Sequence, residues 1–279
     1  MEPESVDTDV GRRGNLYHHQ IHRVFPTGSA VLCLLGAMVF MQEVHGPAIT
    51  YVTDEDLDRL EHERVLREFI ACAGVQPLRV AFRLPAWNDS EFVSLLEWYL
   101  KAAESAEPGK YLERPLVHDR PQLTDQVTDT LLWLPWRNRN LAQPHDVGRL
   151  AISIHSVDDA HEAVSVGASE LIFGHVFTSE SHPGEQGRGV PALIEVEQAM
   201  QVYQNPPRVV GIGGIDERTI PEIGRRKLCN VATMRTISRS SNIAGTLDRM
   251  RAEWVAASIN ADLHESQRSP LGNPSSIFF

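Results

Sequence analysis

From Pro47 onward, short apolar runs alternate with longer amphipathic ones, the pattern of β/α units wrapped around a parallel sheet. Strand candidates fall at 48–53, 78–83, 115–118, 130–134, 150–154, 170–175, 208–212 and 230–234. Helical stretches lie between them at 54–73, 89–105, 122–127, 146–149, 157–166, 190–203, 217–226 and 241–257. Thr53 or Asp54, Ser156, Asp216 and Ser241 are suitable residues to cap helix starts. Eight strands alternating with helices over about 210 residues match the size and order of a (β/α)₈ TIM barrel. A doubly wound open sheet is the second reading. The third and fourth helical stretches are short and weakly periodic, so the pattern supports closure least in that quarter. No internal repeat is visible.

The flanks differ from this pattern. Residues 29–41 form a run of 13 apolar or weakly polar residues, too short for the roughly 20 needed to span a bilayer. Arg12, Arg13 and Arg23 precede it, as in a signal peptide, yet the preceding segment is long and acidic at its start, and no small-x-small cleavage site follows. Met38 or Met41 is an alternative start, which would leave residues 1–40 outside the native protein. The expected organisation is a disordered or non-native leader at 1–46, one barrel domain at 47–257, and a flexible tail at 258–279 rich in Ser, Pro, Gly and Asn near its end. His18, His19 and His22 have metal-ligand character but lie in the leader.

Composition narrows the function classes. The 279 residues are 42% hydrophobic and 23% charged, with 26 Lys+Arg against 37 Asp+Glu and a net charge of −11. That is the range of an ordinary globular protein with ample chain for a large core. The acidic balance and the lack of a long basic run argue against nucleic acid as the main partner, while leaving room for a small anion at a local positive site. Cys33, Cys72 and Cys229 are too few and too scattered for a disulfide framework or a zinc pattern, and suit a reducing cytoplasm.

In such a barrel the active site is built at the carboxyl ends of the strands. Arg83, His118-Asp119, His175 and the glycine-rich turn 211–214 stand there. Glycines at a strand-to-helix turn let backbone N–H groups approach an anion, and a helix beginning near Asp216 would add its positive end. Phosphate in these barrels is often held by the loops after strands seven and eight, so Gly213 and Gly214 pair with Met234, Arg235 and Thr236 as a candidate cup. The Arg235 guanidinium is itself a candidate phosphate partner. His175 offers an imidazole suited to moving protons in either direction, though a core histidine satisfied by a carbonyl fits the same surroundings. The polar loop 178–188, with Ser179, Ser181 and His182, has the make-up of a lid. Arg83 is a candidate carboxylate clamp. Asp119 alone is thin support for magnesium, since the fourth strand ends in Trp133-Leu134-Pro135-Trp136 rather than a second carboxylate.

The run Phe173-Gly-His-Val-Phe-Thr-Ser-Glu-Ser-His-Pro-Gly-Glu-Gln-Gly-Arg-Gly189, followed by Val209-Val-Gly-Ile-Gly-Gly-Ile215, resembles the thiamine phosphate synthase/TenI family, and within it the thiazole tautomerase branch. Ser153-Ile-His-Ser156 with Glu162, Ala163, Gly167 and Ala168 is similar to the family's fifth-strand pattern. The likeness is close over 150–237 and topological over 47–149. It implies a (β/α)₈ barrel. It also implies that His175, standing where the synthases carry proline, shuttles the proton that aromatises a thiazole carboxylate phosphate tautomer. Gly213 and Gly214 match the family's phosphate-binding turn, and Arg83 matches an arginine near the substrate.

The departures from the family bear on its two activities. A synthase needs diphosphate and magnesium ligands, and here Ala81 and Pro85 flank Arg83, His118 precedes Asp119, no aspartate ends the fourth strand, and the lid lysine is replaced by His182-Pro183. Arg235 and Thr236 stand where the family has a small-residue pair, so either Arg235 takes over phosphate binding or it obstructs the cup. The expected protein is therefore a cytoplasmic isomerase of thiamine biosynthesis that binds a small thiazole phosphate. It needs no cofactor and no metal, and has neither a nucleic-acid nor a membrane partner; self-association into a homo-oligomer stays open. The alternatives are a magnesium-dependent thiamine phosphate synthase and a non-catalytic thiazole phosphate-binding relative.

Overall fold

The computed structural model describes residues 46–74, 76–106, 111–127, 129–181 and 183–268, with side chains described to residue 263. Residues 1–45 of the expected leader, residues 269–279 of the expected tail, and His182 lie outside the described residues. Eight strands run parallel: β1 (Ala48–Val52), β2 (Leu78–Phe82), β3 (Leu116–His118), β4 (Leu131–Leu134), β5 (Leu150–Ile154), β6 (Glu170–Gly174), β7 (Arg208–Ile212) and β8 (Asn230–Thr233). Each pairs with the next, and β8 pairs with β1 through Ile49↔Val231 and Thr50↔Ala232, which closes the barrel.

The strands read as continuous apolar runs because both of their faces are buried. One set of alternate residues fills the barrel, including Val52, Ala81, Leu131, Trp133, Ile172 and Val210. The other set, including Tyr51, Phe82, Leu132 and Phe173, packs outward against the helices. Below the inner apolar layer, at the amino ends of the strands, the interior is charged. Arg79 of β2 is 1% exposed, donates to Glu170 at 2.6 Å and lies 3.8 Å from Glu113, which Arg208 holds at 2.5 Å.

Eight α-helical segments are described: α1 (Arg59–Ala71), α2 (Asp89–Glu104), α3 (Pro121–Thr124), α4 (Val157–Ser165), α5 (Gly189–Met200), α6 (Ile220–Gly224), α7 (Arg235–Ser238) and α8 (Ile243–Arg268). The weakly patterned quarter closes without full helices. Its third helix is the single turn α3, and between β4 and β5 stand two 3₁₀ turns, Trp136–Leu141 and Pro144–Asp146, each preceded or opened by proline. The Arg139 guanidinium sits 4.1 Å over the Trp136 ring and supplies packing there in place of a helix.

Helix starts shift where side chains find other partners. Asp54 does not cap α1; it is buried and accepts from the Ser238 hydroxyl at 2.6 Å, and Asp58 caps the helix instead. Asp216 accepts from the Arg218 and Thr219 N–H groups, a side-chain-closed turn that delays α6 to Ile220. Ser156 caps α4 as expected, while at α8 Asn242 rather than Ser241 accepts the Gly245 N–H. The last helix continues through 258–268, where a flexible tail was expected. Those residues contain no Gly or Pro, and Ser258 is buried while Asp262 pairs with Lys227 at 2.5 Å. Among the described residues no helix is long and apolar enough to cross a membrane.

His62 of α1 is wholly buried, edge-on to Trp87 at 5.3 Å between ring centroids. Burial pulls its pKa down to about 4. Between pH 6.5 and 4 the unfolded chain therefore binds a proton that the folded protein refuses, so stability falls as pH falls through that window. The expected cost for this residue is about 3 kcal/mol by pH 4. Urea unfolding of wild type and His62→Leu at pH 7 and pH 4.5 checks it: the difference between the two proteins should shift toward His62→Leu at the lower pH.

Candidate active site

The carboxyl ends of the strands surround a cavity of about 1030 Å³. Arg83, Asp119, His175, Ser179, Ser181, Gly213, Gly214, Met234, Arg235 and Thr236 all line it, so the described candidates from the sequence converge on one site. The floor is the top of the inner barrel layer, formed by Val52, Trp133, Ile172 and Ala232.

His175 follows β6 directly and is 7% exposed. Its Nε2 lies 3.0 Å from the Gln186 carbonyl oxygen, which only accepts. The neutral ring therefore carries its proton on Nε2, and Nδ1 is the basic nitrogen. The lid loop thus returns to fix the ring. It fixes the backbone as well, because the Arg188 N–H donates to the His175 carbonyl and the Arg188 Nε–H donates to the Gly174 carbonyl, both at 2.9 Å. His155, beyond β5, donates from Nδ1 to the same Gly174 oxygen at 2.9 Å.

The glycine turn lies against the other side of His175. Gly213 has φ +99° and Gly214 φ +65°, conformations that favour glycine. A Cβ at Gly213 would collide with the His175 side chain, and one at Gly214 with the Thr178 carbonyl and Phe177. Glycine here is therefore required for close approach to His175 and the lid as well as for turn shape. Among the described residues, the backbone N–H groups of Gly213, Gly214, Arg235 and Thr236 reach no protein acceptor. Four such donors on neighbouring loops form an arrangement able to hold an anion. Neither α6 nor α7 is long enough to add much dipole, and the helix expected to point its start at this spot from Asp216 begins later, at Ile220.

The Arg235 side chain turns toward the lid. It donates to Ser181 Oγ at 3.0 Å and lies 3.6 Å from Glu180 and 3.7 Å from Asp56. Arg239 also holds Glu180, at 3.0 Å. Arg235 therefore ties the lid to the turn after β8. Thr236 donates its hydroxyl to the Ile215 carbonyl, which keeps the turn after β8 against the glycine turn.

Across the mouth, Asp119 is engaged by Asn138 at 2.6 Å and Arg137 at 3.3 Å. Arg83 lies 3.8 Å from Glu55, and its side chain is 36% exposed. His118 stands edge-on to Trp133 at 4.5 Å between centroids, and burial together with Arg83, Arg137 and Arg120 pulls its pKa down to about 4, so it is neutral at physiological pH. Trp133 donates to Ser153 Oγ at 2.9 Å. No group of three or more His, Cys, Asp or Glu side chains that could hold a metal ion occurs among the described residues.

Sequence reasoning did not assign site roles to His155, Arg188, Ser153 and Trp133, all of which line the cavity. Ser153, His155 and Arg188 lay within the motifs that carried the family resemblance, and Arg188 also closed the candidate lid loop 178–188. The roles of His155 and Arg188 come from a shared hydrogen-bond acceptor, the Gly174 carbonyl, that no sequence spacing announces.

A family model described as thiamine monophosphate synthase matches residues 51–237. Among solved structures, the barrel is similar to a thiamine phosphate pyrophosphorylase from Pyrococcus furiosus, with 17% identity, a TM-score of 0.52, and coverage of 75% of this chain and 96% of that one. It is also similar to 3-hexulose-6-phosphate synthase from Salmonella typhimurium, with 11% identity, a TM-score of 0.53, and coverage of 75% and 99%. At these identities the two structures speak to the fold alone.

Proposed function

The chain belongs to the thiamine monophosphate synthase/TenI family, and from that membership we propose that it is an isomerase that aromatises a thiazole carboxylate phosphate tautomer by proton transfer through His175. The observation that carries this reading is a histidine at the end of β6, fixed by the lid at Gln186 and packed against Gly213, in a cavity lined by the four residues with unused backbone N–H donors. Those donors suit the phosphate. The imidazole takes the proton from the sp³ ring carbon that bears the carboxylate. The electron pair of that C–H bond forms a C=N bond to the ring nitrogen, the pair of the existing ring C=N bond becomes the ring C=C bond, and the pair of the exocyclic double bond takes up the proton at the carbon outside the ring. No atom is gained or lost, and the histidine ends as it began.

The synthase reaction joins a pyrimidine diphosphate to a thiazole phosphate and calls on magnesium, and the residues here do not fit that ion. Asp119 is committed to Asn138 and Arg137, and the cavity beside it is lined by Trp133, Pro135 and Trp136, where carboxylate oxygens would be needed. Two parallel assays test the reading: ultraviolet detection of aromatisation without added metal, and diphosphate release with both synthase substrates and magnesium. Aromatisation without diphosphate release is the expected outcome. Diphosphate release overturns it in favour of the synthase, and no turnover in either assay, with the thiazole phosphate still raising the melting temperature, overturns it in favour of a non-catalytic relative.

A further inference from the structure

We infer that Arg188 binds the carboxylate of the substrate, on the flank of His175 opposite the phosphate cup. The inference rests on the isomerase reading and adds to it the residue that recognises the second anionic group.

Arg188 ends the lid just before α5, and its position is tied to His175 in two ways. Its N–H donates to the His175 carbonyl, and its Nε–H to the carbonyl of Gly174, the preceding residue. The Gly174 oxygen faces the β5 side of the strand, since His155 reaches it from beyond β5. Gly213 touches His175 from the β7 side, and the Val176 N–H donates to Ile212 of β7. The guanidinium thus lies on the β5 side of His175, and the glycine turn lies on its β7 side. A flat ring with an anion at each end would span them and lie across His175.

The other guanidiniums that line the cavity have partners. Arg120 holds Asp89 and the Leu84 and Trp87 carbonyls, Arg137 holds Asp119, Arg235 holds the lid, and Arg83 lies near Glu55. Only Nε of Arg188 is used in its side chain, and its two terminal nitrogens have no protein partner among the described residues. Those two nitrogens form the end of the fork that pairs with both oxygens of a carboxylate. The position also matters for the chemistry. Loss of a proton from a carbon beside a carboxylate places new negative charge next to an existing one, and a guanidinium on that carboxylate offsets it.

The test is calorimetric titration of the full-length protein with two stable aromatic ligands, thiazole carboxylate phosphate and the same thiazole phosphate without its carboxylate. Arg188→Met should weaken the first by about tenfold to a hundredfold and leave the second within twofold. Arg188→Lys, which keeps the charge but not the fork, should weaken only the first, by a smaller factor, and decides the matter if Arg188→Met does not fold. Equal losses for both ligands, no loss for either, or the same selective loss from Arg83→Met instead would overturn the assignment. If wild type turns the tautomer over while the Arg188 variants do not discriminate between ligands, the isomerase reading stands and this inference falls. If wild type binds neither ligand, both fall.

Discussion

Replacing His175 with asparagine is expected to lower kcat for aromatisation by about 10² to 10⁴, the usual contribution of a positioned general acid/base. The loss should appear in kcat more than in KM, because the proposed phosphate donors at Gly213, Gly214, Arg235 and Thr236 belong to the backbone and do not depend on the imidazole. Asparagine keeps an N–H donor on a side chain that fits the same space, so the melting temperature should stay within a few degrees of wild type. An unchanged kcat would remove His175 from the mechanism.

The largest stability effect is expected at the opposite end of the barrel. Arg79→Met leaves Glu170 and Glu113 facing each other with one cation fewer in an interior where Arg79 is 1% exposed. Breaking a buried pair in this way costs about 3 to 5 kcal/mol, or roughly 10 °C in melting temperature for a chain of this size. Glu170→Gln added to Arg79→Met should restore part of that loss, because it removes the uncompensated charge. Urea unfolding at neutral pH measures both. If Arg79→Met is as stable as wild type, the arginine contributes no net stability at the base of the barrel.

The barrel was legible because its signal is local and repeated. Strands buried on both faces appear as short apolar runs, and the eight expected runs lie within a residue or two of the eight strands found. The helix starts were less legible. Asp54 bonds to Ser238, 184 residues away, and no local pattern shows that a good cap residue is already committed elsewhere. Similarly, two short turns stand between β4 and β5 where a helix was expected, and there Trp136 packs against the core with Arg139 over its ring.

The site divides the same way. His175, Gly213 and Gly214 were identified by their places at strand ends, which the barrel brings together without further information. Arg235 was identified as a residue, but its side-chain direction follows from Ser181 and Glu180 in the folded lid. Arg188 and His155 acquire meaning only when β5, β6 and the end of the lid meet at the Gly174 carbonyl.

The most direct test of the proposed chemistry is aromatisation of the thiazole carboxylate phosphate tautomer in deuterated water with chelator present, comparing wild type with His175→Asn. Wild type should accelerate the reaction, and His175→Asn should return the rate close to background. No acceleration by wild type, or equal acceleration by the variant, would contradict proton transfer through His175.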